Sequence, residues 1–387
     1  MRGILASMDV QAFPLAELRK RKSVKWRNFP ADVLPLPIAE MDFPIAEPIK
    51  QALRDMIDRS DTGYLGPFPE MFEAFQNFSL TKWGWKPDLN QMRIATDVGV
   101  GSVEVIRTLI NPGDKVVLNS PVYDNMWRWI TEAKAELVDV PLKENGMEYS
   151  FDFEGLERAY SSGVKVHLLC SPHNPAGILF TKEDQVQIAE LAKKYGVIVI
   201  SDEIHAALTF PPHKFLPFLS VSEVAKEVGI CVTSASKAFN LAGLKCAMII
   251  TENEALKARI NTMPMSVAFR ASLFGAVAAT AAYNDGRDWL DGALKTLDQN
   301  RLLIRTLIDT KIPAIGYRVP DFGYLAWLDL SNLGLGEDPT KTLLEQGKLA
   351  VNTGAIYGPK HKSHVRLNYG TSGEIIEEAF NRILRCL

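Results

Sequence analysis

The chain has 387 residues, 47% hydrophobic and 23% charged, enough for a large globular domain with a smaller partner and too ordinary in composition for a fibrous or disordered protein. Its net charge of −3 gives no electrostatic footprint for nucleic acid or an anionic membrane. The cysteines Cys170, Cys231, Cys246 and Cys386 show no C-x-x-C spacing, and the first three lie in apolar runs, so they read as reduced core residues of a cytoplasmic protein.

The first forty-odd residues are rich in proline and basic groups and hold no apolar run of signal-peptide length. They are expected to pack on a small second domain made of residues 1–45 and 286–387, with residues 46–285 forming the large one. Through the middle of the chain, short apolar runs predict strands over 115–118, 136–140, 164–169, 197–201, 230–233 and 247–251. Between them, helical patterns cover 102–110, 127–134, 182–195 and 221–228. Thr181 with Asp184 three residues on marks the start of the third helix. This alternation implies an α/β fold with a mostly parallel central sheet covered by helices on both faces. Residues 271–283 are Ala-rich and too short to span a bilayer, so they read as a buried helix. Beyond 285 a polar helix over 288–310 leads to strands at 317–319 and 324–329, a strand at 365–369 and a last helix over 372–384. That grouping describes a smaller α+β domain. No repeat or low-complexity tract interrupts it.

Ligands of such sheets bind beyond the carboxyl ends of the strands, and chemically distinctive residues gather at these predicted ends. Residues 234–244, Ser-Ala-Ser-Lys-Ala-Phe-Asn-Leu-Ala-Gly-Leu, follow the strand at 230–233. A lysine in a partly apolar pocket loses part of its preference for the ammonium form, so its amine becomes a nucleophile. Ser234 and Ser236 beside it offer hydroxyls to a phosphate. The bland reading of Lys237, a solvated surface group, is the commoner one for an isolated lysine. Asn174, in Ser171-Pro172-His173-Asn174-Pro175, is either part of a plain turn or an amide donor to a ligand oxygen. Asp202 ends the run at 197–201; a carboxylate there is costly unless paired, and either an N-cap, a salt bridge or a ligand cation supplies the partner. Asp202, Glu203 and His205 alone do not complete a metal site, and no metal is expected.

Val98-Gly99-Val100-Gly101-Ser102 opens a helix, where free backbone N–H groups suit an anion. The dinucleotide pattern fails because Glu104 stands in the third glycine's place. Tyr123, after the strand at 115–118, either packs in the core or lies on a flat ligand. Arg366, among apolar residues, has the planar fork that pairs with a carboxylate, although strands also carry surface arginines. Neither Ser102 nor Ser171 sits in a nucleophile-elbow context.

In order, these sites resemble the fold-type I pyridoxal phosphate (PLP) enzymes of the class I/II aminotransferase family. Ser23-Val24-Lys25-Trp26, Ala39-Glu40-Met41-Asp42-Phe43, Gly63-Tyr64, residues 202–205 with Leu208, and residues 234–244 are similar to its cystathionine β-lyase-like branch (MalY/PatB-type C–S lyases). The resemblance implies PLP as cofactor, Lys237 as the lysine that carries it, and Asp202 as partner of the pyridine nitrogen. It implies that Asn174 binds the phenolate oxygen and Tyr123 stacks on the ring. Ser234, Ser236 and the Val100 and Gly101 amides would hold the phosphate. Tyr64 would reach the phosphate of a neighbouring subunit, making a homodimer, and Arg366 would clamp the carboxylate of an amino-acid substrate. His205 belongs to the branch's signature without an assignable role.

Three departures stand out. Lys245 replaces an arginine common eight residues after the lysine, Arg27 takes an acidic place after Lys25-Trp26, and Asp97-Val98-Gly99 replaces a proline-glycine cup. The implied activity is β-elimination from cystathionine or related cysteine conjugates. An aminotransferase would use the same residues, and a regulatory binding protein on this fold is the alternative outside catalysis.

Overall fold

The structure is a computed structural model that describes residues 9–387. The aliphatic runs form one seven-stranded sheet. Its strands are β1 (Met92–Ala95), β2 (Lys115–Leu118), β3 (Glu136–Asp139), β4 (Val164–Cys170), β5 (Ile198–Asp202), β6 (Gly229–Thr233) and β7 (Ala247–Ile250), in the spatial order β1-β7-β6-β5-β4-β2-β3. All neighbours are parallel except β7, which runs antiparallel to both β6 and β1. The expected mainly parallel α/β architecture is therefore present. Alternate residues explain why both faces are apolar: Leu168, Ile200, Val232 and Ile249 enter one buried cluster, and Leu169, Val199, Cys231 and Met248 the other.

Helices cover both faces. Two of them, α1 (Glu47–Asp58) and α2 (Pro69–Trp83), did not emerge from the sequence pattern. Pro48 and Pro69 punctuate the sequence there, yet proline is well tolerated in a helix's first turn. Helix α3 (Val98–Leu109) starts four residues before the expected 102, because Asp97 caps it: its Oδ1 accepts the Val100 N–H at 2.8 Å. Helix α4 (Asp124–Glu132) likewise begins early. Helix α5 (Lys182–Tyr195) carries the anticipated cap in full. Thr181 Oγ1 accepts the Asp184 N–H, Asp184 returns the bond to the Thr181 N–H, and Gly196 closes the helix at φ 68°.

Toward the C-terminus, β8 (Gly316–Tyr317), β9 (Leu325–Asp329), β10 (Asn352–Thr353) and β11 (His364–Asn368) form an antiparallel sheet in the order β8-β9-β11-β10. Helices α6 (Arg287–Lys311) and α7 (Gly373–Leu384) pack on each other beside it. β8 is shorter than the expected 317–319. The N-terminal segment joins this region through Leu34–Pro35, which pairs in parallel with Leu349–Ala350. Residues 1–8 of the expected small domain lie outside the described residues. No helix among the described residues is long and apolar enough to cross a membrane.

Candidate active site

A cavity of about 370 Å³ lies at the carboxyl ends of the central strands, within the range of small-molecule sites. Each strand end delivers one polar group to it. Lys237, four residues past β6, is half-buried and its Nζ donates to the Ala39 carbonyl at 2.9 Å. Burial, joined by the charge of Arg366 and opposed by that of Asp202, pushes its amine down to about 8. Asp202 closes β5. It lies in the cavity wall at 4% exposure, and its Oδ1 accepts one backbone N–H, from Ile204 at 3.1 Å. Burial pushes this carboxyl up to about 7 against the backbone hydrogen bond and the Lys237 charge.

Asn174, past β4, accepts from Arg366 Nη1 through Oδ1 at 3.2 Å, which leaves its Nδ2 donor for the cavity. Tyr123, past β2, lines the cavity, and its hydroxyl oxygen accepts from Asn125 Nδ2 at 2.6 Å. His205 is buried in the wall with its ring near Phe322 and Tyr324, and its Nδ1 has no partner among the described residues. Burial first, then the charges of Lys237 and Arg366, push this imidazole down to about 3, so it is neutral at ordinary pH.

At the other end, the expected anion cup shifts by two residues. Val98 and Gly99 line the cavity, whereas the N–H groups of Val100 and Gly101 are already bonded to the side chain and carbonyl of Asp97. The first two amides of α3 have no partner within the helix, so they, not Val100 and Gly101, are the available donors. Gly101 serves packing: a Cβ there would stand 3.3 Å from that of Ala95 on β1. Gly99 lies under the Trp129 indole, where a Cβ would come to 3.0 Å.

The two serines also divide. Ser234 Oγ donates to the Cys246 carbonyl at 2.6 Å and accepts the Ser236 N–H at 3.1 Å, so its donor is spent on the turn. Both serines line the cavity, and among the described residues the Ser236 hydroxyl has no partner. Lys245 stands at the cavity wall in a left-handed conformation (φ 52°) and pairs with Asp97 Oδ2 at 2.9 Å.

Two expected residues lie away from this wall. Arg366, at the centre of β11 opposite Trp327 and Asn352, is buried behind Asn174. Its Nη2 donates to the Pro37 carbonyl at 3.2 Å, its guanidinium lies 4.9 Å from the Tyr357 ring centroid, and its Nε has no protein partner. Tyr64 is 83% exposed, stacks on Phe269 with centroids 5.1 Å apart, and is absent from the cavity of its own chain. Sequence reasoning passed over Asn125, Trp129, Ala39 and Ala242, which also line the cavity. For Asn125 and Trp129 a signal existed, since they follow Tyr123 across one strand-to-helix turn.

The cavity offers a carboxylate, an amine, a neutral imidazole and an amide on one side, and two free helix-end amides, a hydroxyl and an ammonium on the other. That donor set suits a flat ring carrying a basic nitrogen, a phenolate and a phosphate. The buried Asp202 lacks a cation at bonding distance, which a protonated ring nitrogen would supply.

Comparison with known proteins agrees with this chemistry. The family of class I and II aminotransferases matches residues 31–383. Cystathionine beta-lyase of Corynebacterium glutamicum is 34% identical, with 97% of this chain and all of that protein covered. Cystathionine beta-lyase PatB of Bacillus subtilis is 31% identical over 95% of this chain and 97% of its own. Among solved structures, cystalysin of Treponema denticola, which contains a pyridoxal 5′-phosphate cofactor, superposes with a TM-score of 0.89 at 26% identity, covering 95% of this chain and 96% of its own.

Proposed function

The chain belongs to the class I and II aminotransferase family, and on that premise we propose that it is a pyridoxal-phosphate-dependent C–S β-lyase acting on cystathionine or related cysteine S-conjugates. The observation that carries the proposal is the Lys237 amine, pushed down to about 8, lining one cavity together with the buried Asp202 carboxyl. The names of the full-length relatives support the lyase branch. When bound, the cofactor supplies an electron sink for charge developing at the substrate's α-carbon.

The protein's share is binding and proton handling. Asp202 takes the ring nitrogen; a cation against it makes the ionised carboxylate the favoured form, reversing the effect of burial. Asn174 Nδ2 would donate to the phenolate oxygen and Tyr123 would lie against the ring. Ser236, the Val98 and Gly99 amides and Lys245 would hold the phosphate. Arg366, held behind Asn174 at the edge of the site, would take the substrate carboxylate. Lys237 is the general base, and an amine near 8 is well matched to accept a proton close to neutral pH. It removes the α-proton, the Cβ–S bond breaks with both electrons leaving on sulfur, and the thiolate takes a proton. The remaining enamine tautomerises and adds water, giving pyruvate and ammonia.

A homodimer and a cytoplasmic location belong to the same reading. Exposed Tyr64 and Phe269 support the first, and the free thiols suit a reducing compartment. Cystathionine, cystine and alanine, offered separately to the PLP-loaded protein, test the activity. Pyruvate from the first two without any 2-oxo acid is expected, with a thiol released from cystathionine and a persulfide from cystine, whereas strict dependence on a 2-oxo acid would make the chain an aminotransferase.

A further inference from the structure

We propose that the buried Lys25–Asp42–Trp26 cluster is a positioning device for Lys237, acting through the strap of residues 36–43 that presents the Ala39 carbonyl to the lysine amine. The inference rests on the reading of Lys237 as the cofactor lysine and base.

The strap crosses between the loop that carries Lys237 and the strand that carries Arg366, and side chains from both fix its backbone. Asn240, three residues after Lys237, accepts the Met41 N–H at 3.0 Å and donates to the Met41 carbonyl at 2.9 Å. Asn368, two residues after Arg366, donates to the Ile38 and Glu40 carbonyls at 2.6 and 2.7 Å. Pro37 receives Arg366 and Asn352. Between these anchors the Ala39 carbonyl takes two donors, Lys237 Nζ at 2.9 Å and the Tyr324 hydroxyl at 3.1 Å.

What holds the strap's far end is ionic. Asp42 is wholly buried, with Lys25 Nζ on Oδ2 at 2.8 Å and Trp26 Nε1 on Oδ1 at 3.1 Å, and the Lys25 side chain is wholly buried too. Arg21 caps the outside, donating to the carbonyls of Met41, Asp42 and Phe43. A buried ion pair gives little net stability over apolar residues of the same shape, but it specifies one geometry. The geometry specified here puts an acceptor-only group against one N–H of the amine, which turns the rest of the nitrogen toward the cavity. A carbonyl acceptor also favours the ammonium form. Losing it lowers the lysine's pKa further, in the same direction as burial and the charges of Arg366 and Lys245 and against those of Asp202 and Glu40.

The test uses Trp26→Phe, which keeps the ion pair, and Asp42→Asn. In the cofactor-free proteins, competitive acetylation of Lys237 across pH, read by mass spectrometry, should titrate at lower pH in both variants than in the parent. In the PLP-loaded proteins, pyruvate release should fall by about tenfold, more in Asp42→Asn. Trp26→Phe decides the matter if Asp42→Asn does not fold. An unchanged Lys237 titration and an unchanged rate in folded Trp26→Phe would overturn the positioning role. Borohydride trapping of the cofactor on a residue other than Lys237 would instead overturn the reading on which it rests.

Discussion

Two buried aspartates, Asp42 and Asp202, have the same side chain and nearly the same burial, and their surroundings make them opposites. Asp42 is met by a lysine and an indole at bonding distance, with an arginine at 3.8 Å. Asp202 has one backbone N–H, and its carboxyl is pushed up to about 7. Around Asp42 every polar group is spoken for. The same site holds other unpaired atoms: His205 Nδ1, and Arg366 Nε behind Asn174, have no partner among the described residues. A folded protein leaves buried polar groups unpaired chiefly where something else is to pair them. The first aspartate thus has the surroundings of a structural residue, and the second is the one we propose to meet a ligand.

Substitution should separate them. Asp42→Asn leaves Lys25 buried without its counter-charge and should cost about 3–5 kcal/mol of stability, read by denaturant unfolding. Asp202→Asn removes a carboxylate that burial disfavours, so the cofactor-free protein should be no less stable than the parent. Its cost appears in chemistry, as pyruvate release slower by about 10²–10³-fold. Equal destabilisation by the two changes would erase the distinction.

A second contrast lies in pH. The raised pKa of Asp202 means that the folded, cofactor-free chain binds a proton that the unfolded chain has released between the ordinary carboxyl range and about 7. Stability from this group is therefore present at low pH and lost as pH rises toward neutrality. Relative to Asp202→Asn, the parent's thermal midpoint should fall by several degrees between about pH 5 and about pH 8. Bound cofactor should shrink that difference, because the ring nitrogen favours the ionised carboxylate.

The smallest effect divides the serines. Ser236→Ala removes a hydroxyl that faces the cavity and should weaken PLP affinity several-fold, as loss of one hydrogen bond of about 0.5–1.5 kcal/mol would. Ser234→Ala breaks a bond to the Cys246 carbonyl and should register mainly in thermal stability.

Much of this was legible in the chain itself. The aliphatic runs fix the parallel strands, and ligand-type residues fall at their ends because that is where such sheets open. The residues that escaped did so for physical reasons. β1 is a four-residue edge strand with Arg93 in its middle, so it lacks an apolar signature. The free amides at the start of α3 are those of Val98 and Gly99 rather than the expected Val100 and Gly101, because the Asp97 cap decides which are bonded. The Ser234 hydroxyl was unavailable because it bonds a carbonyl twelve residues away. Least visible was the strap. Its contribution at Ala39 is a backbone carbonyl, which any residue has, and its anchors Asn240 and Asn368 lie 199 and 328 residues or more from the positions they hold.

The central claim is that one lysine holds the cofactor in the cavity it shares with the unsatisfied aspartate. Loading the protein with PLP, reducing it with borohydride and mapping the modified peptide tests that most directly. The account predicts a single cofactor-modified residue, Lys237, absent together with the bound cofactor's absorbance band in Lys237→Ala. Modification of any other lysine, or a band that survives in Lys237→Ala, would contradict it.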